Sequence, residues 1–337
     1  MPPADPVPTP LVRDSRAPGL LRTALRAGPV LLDGGLSTEL EARGHDVSSD
    51  LWSARLLLDA PADVVAVHAD FAAAGAQVLT TASYQATLPG LRAAGLDRTA
   101  AERVITSSVH LAREGLTAAG RPGWVAGSVG PYGAFLAGGQ EYTGDYLAPG
   151  GGPGAVGRRA LRDHHRPHLE LLAAAGADVL ACETVPGAAE VEALLVELEA
   201  LAVPAWVSVS AVVDDAGAAR TRRGEPLGPV LAAAASVGCV LAVGVNCLEP
   251  ASVLAALHQA AEVVPAPAAG GAVLAAYPNS GEVWDGAART WTGARDGDAA
   301  VTGVADWVSA GARLVGGCCR VRPHHTAAAA AALAALR

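Results

Sequence analysis

Three of the five cysteines stand where chemistry can converge. Cys247 closes one apolar run, Leu241 to Cys247, and Cys318 and Cys319 directly follow another, Arg313 to Gly317. Neighbouring side chains in a regular strand point to opposite faces, so two adjacent thiols can share one target only where the strand has broken. Gly316 and Gly317 provide the backbone freedom for that break. Three thiolates with nothing obvious for a fourth place describe an open zinc site, the catalytic type rather than the closed structural type. The sequence contains no Cys-x2-Cys spacing, which argues against a zinc finger. Ordinary buried cysteines, or a reactive vicinal pair, are the competing readings of the same spacing. Cys182 and Cys239 lack such company and read as core residues.

Two carboxylates also fall at strand ends, Asp33 and Glu183, where they could hold a substrate ammonium; a helix cap or an ion pair is the plainer alternative. Gly34 and Gly35, with Ser37 and Thr38 at a helix start, offer backbone N–H groups to an anion such as a carboxylate, or simply form a tight turn with its cap. Taken together these groups suit an amino-acid zwitterion. Aromatic faces for a cation come from Tyr84, Tyr132, Tyr142, Tyr277 and Trp284. His164, His165 and His168, with Pro167 among them in an Arg-rich stretch, read as a solvated helix face. His324 and His325, after Pro323, read as structural residues of the last helix. No Gly-x-Ser-x-Gly elbow follows a strand. All 24 basic residues are arginine, which removes lysine Schiff-base chemistry and any Walker-type phosphate lysine.

The elements that must position these residues alternate along the chain. Eight β-rich apolar runs are present, over residues 30–33, 77–81, 124–129, 178–183, 205–209, 241–247, 272–277 and 313–317. Between them lie helical stretches such as 61–74, 189–200 and 251–263, several ending in Ala-Gly-Ala, which suits a left-handed helix C-cap. Such alternation implies a parallel sheet, and eight units close into a (β/α)8 TIM barrel, an α/β fold with strand ends converging at one mouth. A doubly wound open sheet is the second choice, and it lacks the phosphate-type glycine loop after the first strand. Pro131 to Gly157 and Pro278 to Thr302 are long segments expected over the C-terminal face, where long structured loops shape a site. The Gly150–Gly154 run inside the first reads as a flexible connector.

With 337 residues, 51% of them apolar and 17% charged, the chain can bury a large core. Its net charge of −9 argues against nucleic acid as a partner. No apolar stretch reaches the roughly 18 residues of a membrane helix, and the proline-rich start is not a secretory signal. Residues 1–20 are therefore expected as a disordered tail and 21–337 as one barrel domain. A cytoplasmic location and five reduced thiols follow from the missing export signal. A homo-oligomer is compatible with all of this.

Asp33-Gly34-Gly35-Leu36-Ser37-Thr38-Glu39-Leu40, Gly244-Val245-Asn246-Cys247 and Gly316-Gly317-Cys318-Cys319-Arg320 resemble the homocysteine S-methyltransferase family. So do Cys182-Glu183-Thr184-Val185-Pro186 and the segment from Tyr277 to Trp284. The likeness runs from about Gly28 to the last helix, and lies nearer the S-methylmethionine or S-adenosylmethionine branch than the betaine-dependent one. The chain is too short for the cobalamin and folate modules of methionine synthase. The resemblance implies Zn2+ on Cys247, Cys318 and Cys319, with homocysteine held near Asp33 and Glu183. Gly34, Gly35, Thr81, Tyr84, Asn246 and Tyr277 complete the expected substrate pocket. The stretch Ala148 to Gly157 departs from the family pattern. In the implied reaction the homocysteine sulfur takes the open zinc position and attacks the methyl of a sulfonium, which leaves as a neutral thioether. A zinc-dependent barrel hydrolase or lyase, and a non-enzymatic redox or structural cysteine site, are the alternatives.

Overall fold

Short runs of valine, leucine and alanine, bounded by turns, form eight parallel strands in a computed structural model that describes residues 18–47, 53–147, 155–264, 271–286, 290–293 and 298–336. In chain order they are β1 (Val30–Leu31), β2 (Val78–Thr80), β3 (Trp124–Val129) and β4 (Val179–Val185). The second half comprises β5 (Ala205–Val209), β6 (Val240–Asn246), β7 (Val273–Tyr277) and β8 (Ala312–Val315). Each pairs in parallel with its sequence neighbour, and β8 pairs with β1. A parallel bridge between Leu32 and Val78, with Asp33 N–H donating to the Val78 carbonyl at 3.1 Å, joins β1 to β2 and closes the ring. The eight-stranded barrel expected from the alternation is the fold observed.

The strands are apolar on both faces because helices cover the outside and side chains fill the inside. Alternate positions divide between two clusters, as a period of two requires. Leu31, Leu79, Val125, Leu180, Val207, Val243, Leu274 and Val315 pack against the helices. Val30, Leu32, Val78, Trp124, Val179, Trp206, Val273 and Leu314 fill the barrel. Cys182 belongs to the outer set, so Glu183 beside it points to the mouth. Cys239 is partly buried against the same outer cluster. The Ala-Gly-Ala helix ends behave as expected: Gly75, Gly176 and Gly311 all adopt left-handed φ, at 109°, 89° and 102°.

Two expectations change. The tail predicted up to residue 20 is interrupted by a helix from Pro18 to Ala27, while residues 1–17 lie outside the described set. Leu21 and Leu25 of that helix join the cluster inside the barrel and form its floor. His165 and His168, predicted on a solvated face, are buried at 0% and 2% exposure. Within the helix Arg158–Ala174 they share a stripe with Leu161, Leu169 and Leu172, at the i, i+4, i+7, i+8, i+11 spacing of an inward face. His165 Nε2 lies 2.8 Å from Glu190. Burial pushes His168 down to about 3 and His164 down to about 2, so both are neutral imidazoles. His325 is structural as expected, its Nδ1 accepting the Arg322 N–H at 2.9 Å at the helix start.

Both long segments carry structure of their own. The first holds the helix Tyr132–Leu136 and the turns Gln140–Tyr142 and Asp145–Leu147; its Gly150–Gly154 run lies outside the described residues. The second holds an antiparallel hairpin pairing Val283–Asp285 with Thr290–Thr292. A further hairpin, Ala211–Val213 with Ala219–Thr221, follows β5. Among the described residues no helix is long and apolar enough to cross a membrane.

Candidate metal and substrate site

The sulfurs of Cys247, Cys318 and Cys319 all lie within 4.8 Å of one another, the one group of three metal-ligating side chains among the described residues. Cys247 takes a left-handed φ of 49° immediately after β6, which turns the chain and keeps its sulfur at the mouth. Its N–H donates to the Tyr277 carbonyl at 3.2 Å. After β8 the Gly317 N–H reaches the Asp33 carbonyl at 3.2 Å and the Cys318 N–H reaches that of Pro278 at 2.8 Å. Gly316 and Gly317 do not supply a positive φ here. They supply room: a Cβ on Gly316 would sit 2.6 Å from Leu32, and one on Gly317 2.3 Å from Val321.

The expectation of five free thiols is corrected in one place, since Cys247 and Cys318 are paired as a disulfide, leaving Cys182, Cys239 and Cys319 free. The Cys319 sulfur stands 3.7 Å from that of Cys247 and 3.9 Å from that of Cys318. Tetrahedral zinc with Zn–S bonds of about 2.3 Å separates its sulfurs by roughly 3.8 Å. Two of the three edges already have that length, and reduction of the pair frees the third to reach it. The residues therefore fit a zinc ion. Burial pushes the Cys319 thiol up to about 12, opposed by a hydrogen bond from Tyr142 and reinforced by Glu141 and Glu183. A thiolate in such surroundings needs a cation beside it.

Asp33 and Glu183 meet at the same mouth. Thr80 donates its backbone N–H at 2.7 Å and its hydroxyl at 2.8 Å to the Asp33 carboxylate. Burial nevertheless raises Asp33 to about 7, with the Glu183 charge adding to the rise. Glu183 receives hydrogen bonds from the Ser128 and Tyr277 hydroxyls, and burial lifts it to about 7 as well. Tyr277 is fixed in turn by the Trp206 indole N–H at 2.9 Å and by Ser208. Two buried carboxylates share one space and have only neutral donors around them. They are poised for a cation from outside.

The surrounding cavity, about 450 Å³, is lined by the three cysteines, Asp33, Gly34, Gly35, Thr81, Tyr84, Glu183 and Tyr277, and also by Trp284 and Trp291 of the hairpin. Tyr132 falls outside this lining and packs on Tyr146 and His164 instead. Asn246 is fully buried behind the wall. Its Oδ1 accepts the Thr184 N–H and its Nδ2 donates to the Thr184 hydroxyl, both at 2.8 Å. That clasp holds a β-branched residue at a φ of 61°, a costly conformation. Thr81 lines the cavity, but its hydroxyl is committed to Ser83 and to the Ser128 N–H. Gly35 is likewise no free donor, since its N–H binds the Val321 carbonyl at 2.8 Å. A Cβ on Gly34 would meet that same carbonyl at 2.6 Å, so the pair lets the β1 and β8 loops touch.

Sequence reasoning overlooked Thr80, Ser128 and Glu141. Thr80 and Ser128 sit inside apolar strands with no local signal. Glu141 had one, an acidic residue between Gln140 and Tyr142 in the Gly/Tyr-rich insertion.

Comparison with known proteins matches residues 30–333 to the family model "Homocysteine S-methyltransferase". The homocysteine S-methyltransferase of Escherichia coli is 42% identical over 307 residues, covering 89% of this chain and 93% of its own. The crystal structure of the E. coli homocysteine methyltransferase MmuM in its metallated form superposes with a TM-score of 0.76 at 40% identity, over 91% of this chain and 99% of that one. Its oxidized form also gives 0.76, at 39% identity over 92% and 96%.

Proposed function

The chain belongs to the homocysteine S-methyltransferase family, and from that premise we propose that it methylates L-homocysteine to methionine from a sulfonium donor, S-methylmethionine or S-adenosylmethionine, using Zn2+ held by Cys247, Cys318 and Cys319. The observation that carries this reading is the convergence of three sulfurs from two strand ends beside a pair of buried carboxylates. Held by these three sulfurs, zinc would supply the positive charge that lets a thiol lose its proton at neutral pH.

The chain's own groups do the rest. Asp33 and Glu183 take the substrate ammonium, which holds the homocysteine sulfur toward the cysteines. Asn246 and Thr184 keep the β4 and β6 ends in register, and the cavity walls align sulfur, methyl and leaving group, where most of the acceleration from orientation arises. The new S–C bond forms as the donor's S–C bond breaks; the thiol proton goes to solvent and the donor leaves as a neutral thioether. No general acid is needed. The neutral state of His164 and His168 is in keeping with that.

A zinc hydrolase or lyase would ordinarily use histidine and carboxylate ligands, whereas all three converging ligands here are sulfur. We further place the enzyme in a reducing compartment, the cytoplasm, where Cys247 and Cys318 are thiols. Incubating reduced, zinc-loaded protein with homocysteine and each donor in turn, and measuring methionine, tests the reading. X-ray absorption showing oxygen and nitrogen but no sulfur around the metal would sink it.

A further inference from the structure

Besides Asp33 and Glu183 the cavity is lined by Glu41, Asp46 and Glu141, and the scheme above leaves Glu141 unused. It sits on the turn Gln140–Tyr142, lines the cavity, and is 4% exposed. Its Oε2 is buried with no hydrogen-bond partner. Burial raises its carboxyl to about 7, opposed by its own backbone amide, and no arginine or histidine contributes among the described residues. A buried carboxylate without a cation is costly, and such a group at a cavity wall points to a ligand that completes it.

Its neighbours indicate which ligand. Glu141 adds to the upward push on the Tyr84 and Tyr142 hydroxyls, and Tyr84 feels Glu183 as well. Glu141 stands on the turn Gln140–Tyr142, a different element from the β1 end that carries Asp33 and from β4, which carries Glu183. Tyr84 and Tyr142 line the same cavity; Tyr142 follows Glu141 on the turn and carries Arg222 over its ring at 5.7 Å. Carboxylate and aromatic faces together favour a soft, weakly hydrated cation.

We propose that Glu141, with the rings of Tyr84 and Tyr142, forms the subsite that binds the sulfonium cation of the methyl donor. This rests on the methyl-transfer reading and assigns the second substrate within it. The sulfonium charge disappears as the methyl moves to a thiolate, so Glu141 favours the donor-bound ground state. Its loss therefore raises donor KM and leaves kcat the same or higher, never lower.

The test uses zinc-loaded wild type and Glu141→Gln, with homocysteine and donor varied separately, and trimethylsulfonium as a probe that carries the cation but no ammonium. In the variant the donor KM is expected to rise about tenfold, the effect of one charge-assisted contact. Homocysteine KM and zinc content stay within about twofold. Trimethylsulfonium competes with the donor in the wild type, and its Ki rises by the same factor in the variant. The substrate-free variant melts at the same or a higher temperature, because an amide relieves a buried unpaired charge. An unchanged trimethylsulfonium Ki, a shift in homocysteine KM instead, or a lowered melting temperature with kcat and both KM values disturbed, overturns the assignment. Wild type that makes no methionine from any sulfonium defeats the methyl-transfer reading itself, a result distinct from an active wild type with an indifferent Glu141→Gln.

Discussion

Each sulfur at the mouth depends on the chain around it, and single substitutions separate ligand from scaffold. Cys247→Ser should lower bound zinc well below one per chain and cut methionine formation by at least about hundredfold, since even outer-shell partners of a metal cost 10–100-fold; metal analysis beside the activity assay reads both. At Glu183 the expected effects depend on pH. Its carboxyl is raised from 4.5 to about 7 by burial, so between those values the folded protein holds a proton that the unfolded chain releases. Stability from this group is complete below about 4.5 and is lost as pH rises toward 7, by on the order of 3 kcal/mol. Glu183→Gln should remove that part of the slope in urea melts of the substrate-free protein, compared with wild type from pH 5 to 8. Binding runs the other way. The ionised carboxylate attracts an ammonium, so wild-type homocysteine KM should fall as pH climbs through 7, with a shallower fall in Glu183→Gln.

At the scale of elements, the barrel's strand ends leave little space at the mouth. Gly244 in β6 faces the β7 backbone so closely that a Cβ would lie 1.8 Å from the Ala275 carbonyl oxygen. No side-chain adjustment relieves a clash with backbone. Gly244→Ala should therefore cost more than the usual overpacking penalty of about 1–3 kcal/mol, seen as a lower urea midpoint or as loss of soluble protein. At the opposite end, the helix Pro18–Ala27 places Leu21 under the strands. Leu21→Ala should destabilise by about 2–5 kcal/mol yet leave kcat per folded molecule unchanged, because the proposed site lies at the far mouth. A fall in kcat at full folding would contradict that separation.

For the molecule as a whole, one cluster of thiols must choose between a metal and a disulfide. The Cys247–Cys318 pair takes up two of the three sulfurs proposed to hold zinc. Oxidised, metal-free protein should alkylate after denaturation only at Cys182, Cys239 and Cys319 and be inactive. Reductant with zinc should restore activity and expose all five cysteines to alkylation after chelation and denaturation. Reductant without zinc should not restore activity. Mass spectrometry counts the labels. Retained activity in metal-free, reduced protein would contradict the proposed function.

Much was legible before any fold was known, and for identifiable reasons. The β/α alternation is written in local apolar periodicity and in glycine-capped helix ends, which carry through to Gly75, Gly176 and Gly311. Cys247, Cys318, Cys319, Asp33 and Glu183 were visible because each ends an apolar run, and parallel strands bring such ends to one mouth. The inward stripe holding His165 and His168 was also present in the sequence, hidden behind four arginines on the other face of the helix. The assignment of individual donors was not legible, because hydrogen bonding across a barrel pairs residues 47 or 55 positions apart and nothing local selects Thr80 over Thr81. Sequence by itself settled the type of barrel and the residues at its rim. Tertiary structure alone decided that Asn246 clasps Thr184 behind the wall, that Gly35 has no free amide, and that Glu141 reaches the cavity with a carboxylate oxygen unmet. Burial and partnership are properties of the packed chain, and no residue carries them alone.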